Sequence, residues 1–219
     1  MQQDLTTGNI TGGLLQFALP MMLGNLLQQL YNVADTLIVG RYLGADALAA
    51  VGSSYTLMTF LTSVLLGLCM GSGAVFSIQF GRHDTERLKH SVSLSFLLIA
   101  AVTFLLNAGA LCGLNGIIRL LRVPAEVTGL MKAYLEIIFW GIGATFLYNF
   151  FACLLRSVGN STIPLLFLGI AALLNIALDL LFVLQFHWGV RGAAAATVIA
   201  QALSGAGLAV YTLIAFPQL

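Results

Sequence analysis

Six apolar runs divide this sequence, at about 14–39, 53–79, 91–112, 129–153, 164–186 and 192–216. Each matches the ~20 residues a helix needs to cross a hydrocarbon core about 30 Å thick. The segments between them, 40–52, 81–90, 112–129, 156–164 and 187–192, hold most of the charged and turn-forming residues. The runs are continuous rather than alternating, which favours helices over the short alternating strands of a membrane barrel. The expected fold is therefore an all-α membrane protein with six transmembrane helices, over 14–219, behind a short N-terminal segment, 1–13. Composition agrees: 59% of residues are hydrophobic and 8% charged, against roughly 25% charged in soluble domains. A soluble fold of this size cannot hide so much apolar surface.

A net charge of +1 excludes nucleic-acid binding through a basic surface. Cys69, Cys112 and Cys153 lie far apart in apolar stretches, so they read as small buried hydrophobes and not as a disulfide or metal framework. The opening MQQDLTTGNITGG lacks the cationic region and cleavage site of a signal peptide, so the first run is expected to stay as a membrane anchor. Charge alone does not orient the chain. With a cytoplasmic N-terminus, the inner loops hold Arg82, Arg87, Lys89 and Arg156, and the outer ones Arg41, Arg119, Arg122, Lys132 and Arg191. The dense loop GRHDTERLKH is the best cytoplasmic candidate and favours an inside N-terminus.

Ionisable groups inside spans mark function, because insertion at mid-membrane costs about 2.5–3.5 kcal/mol each. Asp35 lies near the far end of span 1 and Asp179 near the far end of span 5. Odd-numbered spans run the same way, so at ~1.5 Å per residue both carboxylates sit about 6–11 Å below one membrane face. Asn175, four residues before Asp179, shares its helix face. Thr197 lies about one and a half turns into span 6, which starts from that same side. These oxygens suit a hard cation such as sodium; alternatively, two desolvated carboxylates that cannot both stay ionised hold a proton. The plainer alternative is polar glue between helices, through the pairs Asp179–Asn175 and Asp35–Thr36.

Glu136 is a rival, but Lys132 stands at i−4 and is expected to pair with it. Tyr134 reads either as an interfacial aromatic or as a cavity-lining ring, and Asn149 as a donor between helices. Pro20 cannot bond the carbonyl of Gln16, so span 1 should kink or bend there, which would swing the acidic end. Gly67, Gly71 and Gly73 in span 2, with Ala193–Ala196, Gly205 and Gly207 in span 6, suggest close helix contacts. A faint echo links LGADALAAVG before span 2 with VRGAAAATVIA before span 6. An intramembrane serine protease is excluded, since Met70 precedes Gly71-Ser72-Gly73 where such an enzyme needs GxSG, and no histidine lies deep in a later span.

Taken in order, ALP (18–20), VADTLIVGRYLGADALAAVG (33–52), GRHD (81–84), LLRSVGNSTIP (154–164), LLNIALDLLFV (173–183) and WGVRGAAAAT (188–197) form a specific combination. The chain resembles the N-terminal lobe of the multidrug and toxic compound extrusion transporters, closest to the bacterial branch. That resemblance implies a plasma-membrane antiporter that exports organic cations or other amphipathic compounds against sodium or protons, with no other cofactor. It implies that Asp35, Asn175, Asp179 and Thr197 hold the coupling cation, that Tyr134 and, more loosely, Asn149 line the same cavity, and that Pro20 kinks the first helix. It also places the N-terminus in the cytoplasm. Family members carry twelve spans in two lobes, so the missing partner would be a second lobe of a longer chain or a parallel second copy. A lipid-linked precursor flippase and a non-transporting membrane subunit are the alternatives; the former would want an interior rich in Arg or Lys, which the spans lack.

Overall fold

The computed structural model describes residues 10–216. Residues 1–9 of the expected N-terminal segment lie outside them. Seven α-helices follow one another: α1 (Ile10–Leu43), α2 (Ala45–Gly81), α3 (Thr85–Leu120), α4 (Ala125–Trp140), α5 (Ile142–Ser157), α6 (Thr162–Leu180) and α7 (Val190–Ala215). A π turn, Leu181–Gln185, extends α6. Among the described residues, four helices (α2, α3, α7 and α6 with its π turn) are long and apolar enough to cross a membrane, and the bent pair α4–α5 counts as a fifth where its two halves form one span. The chain is thus an all-α membrane protein. α1, at 34 residues, is long enough to cross but carries Asn25, Gln28, Gln29, Asn32 and Asp35 along its length.

Two sequence expectations need correction here. The linker expected at 40–52 shrinks to one residue, Gly44, because the alanine-rich segment after it is already helix. Gly44 turns the chain at φ 89°, where a residue with a Cβ is strained. The fourth run, expected as one span, breaks at Gly141 into helices inclined by 48°. The Gly141 amide is shared between the carbonyls of Ile137 and Ile138 (3.2 and 2.9 Å). A Cβ at that position would stand 2.3 Å from Cγ2 of Val198, so α7 presses on the break.

Elsewhere local rules hold. Asp84 caps α3 by accepting from the Arg87 amide (3.1 Å). Pro164 falls in the first turn of α6, where its missing N–H costs nothing. α1 runs unbroken through Pro20, and one residue beyond the carbonyl that proline leaves free, Phe17 O accepts from the Ser161 hydroxyl (3.1 Å).

The main core lies among α2, α3, α4 and α5, where Leu65, Phe76, Ile99, Met131, Leu135 and Phe150 are buried. Ring contacts join Phe76, Phe96, Phe146, Phe150 and Phe151. α7 packs against α4, α5 and α6, and α1 against α6 and α2. The small residues of α7 do the expected work: Ala193, Ala194 and Ala196 are fully buried, and a Cβ on Gly205 would meet backbone atoms of Ala144 and Tyr148 at 3.0 Å. In α2 only Gly73 of the three does so, its Cβ position lying 3.8 Å from Cys153 O of α5, whereas a Cβ on Gly67 or Gly71 meets nothing within 4 Å. The echo between helix starts has a structural counterpart. Gly44 and Gly189 both have positive φ, and Ala47, Ala193 and Ala194 enter one cluster around Val39 and Tyr134. Leucines and phenylalanines line the outside, as Leu97, Phe104 and Leu213 show, which suits a lipid surround.

Candidate functional site

Four elements converge where α1 ends and α7 begins. α1 brings Tyr31 and Asp35 at i and i+4, and α6 brings Asn175 and Asp179 with the same spacing. α7 brings Thr197 and α4 brings Tyr134. Asp35 is 8% exposed, and Asn175 and Asp179 are fully buried. Asp179 lies two residues ahead of the π turn, a local widening of the helix that recurs at functional sites.

Thr197 joins the helices. Its Oγ1 accepts from the Asn175 amide at 3.3 Å and from the Tyr31 hydroxyl at 3.4 Å. The Asp35 and Asp179 carboxyl groups are neighbours across the α1–α6 contact. Four buried oxygens have no donor: Oδ1 of Asp35, Oδ1 of Asn175 and both oxygens of Asp179. Among the described residues the ion pairs are Asp84–Arg87 and Glu86–Lys89, both in the α2–α3 turn region. No guanidinium or ammonium therefore neutralises the two acids. Buried carboxylates without partners are strongly unfavourable, and protons or a cation held by those oxygens would relieve that cost. The donors are hard, all carboxylate, amide and hydroxyl oxygen, and fit a small hard cation. No three His, Cys, Asp or Glu side chains cluster for a transition metal among the described residues.

The structure thus brings Asp35, Asn175, Asp179 and Thr197 into one layer. Tyr134 joins them from α4: at 3% exposure, packed among Val39, Val51, Ile138 and Val190, it is no interfacial aromatic. Asn149 stays apart. Its amide donates to Thr145 O of its own helix (2.7 Å), which corrects the expectation of a bond between helices. Thr36 likewise turns outward and donates to Asn32 O (2.7 Å), so it is no partner for Asp35. The Lys132–Glu136 pair does not form among the described ion pairs. Cys112 is exposed, unlike Cys69 and Cys153. Sequence reading missed Tyr31. Its i−4 spacing from Asp35 was the available signal, masked because a tyrosine near a span end ordinarily marks the interface.

A family model described as MatE matches residues 20–181. The chain belongs to the MatE family. A curated relative, "Probable multidrug resistance protein YpnP" of Bacillus subtilis, is 34% identical over 201 residues, which are 92% of this chain and 45% of the relative. Among solved structures, "Crystal structure of MATE in the bent conformation" superimposes with a TM-score of 0.87 at 26% identity, covering 94% of this chain and 46% of that one. "Crystal structure of MATE in the straight conformation" gives 0.87 at 25%, covering 95% and 46%. This MatE chain spans about half the length of the relatives it matches, the extent of one lobe.

Proposed function

We propose that this MatE chain is one lobe of a secondary antiporter that exports organic cations or other amphipathic compounds in exchange for sodium or protons. The coupling cation sits among Asp35, Asn175, Asp179 and Thr197, with Tyr134 walling the same space; Asn149 belongs to the substrate path further along α5. The observation that carries this reading is the meeting of two buried acids from α1 and α6 with no basic residue to balance them. A cation bound more tightly in one conformation of the lobe biases it toward that conformation by the difference in affinity. α1, which contributes Asp35 and contains Pro20, is the helix that responds. Relatives named as a multidrug resistance protein and as a multidrug export protein support export as the direction and small molecules as the cargo.

In this reading α1 is the sixth span, the N-terminus is cytoplasmic, and the protein resides in a bacterial plasma membrane. The second half of the substrate cleft comes from another lobe of the same full-length chain or from a parallel second copy. No residue has a catalytic role, and no cofactor beyond the coupling ion is required. A flippase for lipid-linked precursors would want cationic residues in this layer, and the layer is acidic.

The test is dye efflux from inverted vesicles under imposed proton or sodium gradients, comparing native protein with Asp35→Asn and Asp179→Asn. Each variant should insert normally and lose gradient-driven efflux at least tenfold. Full-rate efflux in both variants removes the assignment.

A further inference from the structure

Away from the acidic layer, the end of α3 and the start of α4 form a half-open cavity of about 430 Å³ with mixed polar and apolar walls. Asn115 and Arg119, at i and i+4, line it from one face of α3, and Arg122 lines it from the turn that follows. Ile118, Val123 and Thr128 complete the walls. Neither guanidinium takes part in the ion pairs among the described residues. Glu126, at the start of α4, is exposed and does not pair with them. The Thr128 hydroxyl donates inward to Pro124 O (3.0 Å), so the cavity's donors are the two arginines and the Asn115 amide.

Two further features say what such donors meet. Arg122 occupies the left-handed position of the closing turn at φ 51°, with Val123 N bonding back to Ile118 O. Glycine ordinarily fills that place, yet here it carries a cation. Between the arginines, Leu120 is 82% exposed and Leu121 43%. Two cations thus flank exposed leucines at the end of a helix long and apolar enough to cross a membrane, a combination that suits the lipid headgroup region. Guanidinium matches phosphate oxygens in a two-pronged geometry.

We propose that this cavity seats the phosphate of an anionic phospholipid from the adjoining leaflet, with Arg119 and Arg122 on the headgroup and Leu120 and Leu121 against the acyl chains. The site fixes the α3–α4 corner to the lipid surface and is independent of the cation layer.

Native mass spectrometry of the chain in mild detergent with added phosphatidylglycerol or phosphatidylcholine tests it. Phosphatidylglycerol should be retained several-fold more than phosphatidylcholine. Arg119→Gln/Arg122→Gln should abolish that preference, whereas Arg119→Lys/Arg122→Lys should keep most of it and Arg82→Gln all of it. The lysine pair guards against a loss caused by misfolding, since it must bind while the glutamine pair does not. Equal retention of both lipids, or an unchanged preference in the glutamine pair, overturns the proposal. Displacement of the lipid by millimolar inorganic phosphate overturns it too, since the site would then be one for a free anion.

Discussion

Thr197 shows how much one hydroxyl can organise. It is the acceptor for donors from two other helices, Tyr31 on α1 and Asn175 on α6. Valine has nearly the same shape and no lone pair. Thr197→Val therefore leaves the buried Asn175 amide without an acceptor, a cost of about 1–3 kcal/mol. The expected outcome is a lower melting temperature together with weaker binding of the coupling cation in titrations. Thr36→Val, one residue from Asp35, is the contrast. That hydroxyl is exposed and serves only its own helix, so stability should change by less than about 0.5 kcal/mol.

Among the elements, the break between α4 and α5 is the sharpest case of a structure set from far away in sequence. Gly141 sits under Val198, and added carbon would collide with that side chain. Gly141→Ala should destabilise by about 1–3 kcal/mol, as overpacking does. Val198→Ala in the same chain should recover most of the loss, and a double-mutant cycle of melting temperatures would show the coupling. Gly71→Ala, with open space around it, should be close to neutral. These positions also mark the limit of what the sequence discloses. Asp35 and Asp179 were legible because their charge is costly in lipid and helical rise fixes their depth. The break at Gly141 was not, because a glycine within an apolar run looks alike whether it is packed against a neighbour or open, as Gly71 is. The helical link at 45–52 was hidden for a related reason: Asp46 and several small residues suggest a loop, while their helix propensity and the burial of Ala47, Ala50 and Val51 decide otherwise.

For the molecule as a whole, the oxygens of the proposed cation site all come from α1, α6 and α7. Nothing in that set is borrowed from a second lobe. The chain alone, in detergent, should therefore take up its coupling cation, measured by calorimetry in sodium and by proton uptake in unbuffered solution. The Asp35→Asn/Asp179→Asn chain should take up neither. Binding of an organic cation should need the second lobe, since the walls of a central cleft are then only half supplied.

Gly44 gives this lobe a mechanical property of its own. With a single residue between α1 and α2, the end of α1 nearest Asp35 is tethered at a fixed corner to the neighbouring helix, and α2 is anchored in the aromatic core. Any large excursion of the first helix has to be absorbed along its length, toward the proline and the serine latch at the opposite end. In such an excursion the acidic group would travel as the short arm of a lever whose fulcrum is one glycine.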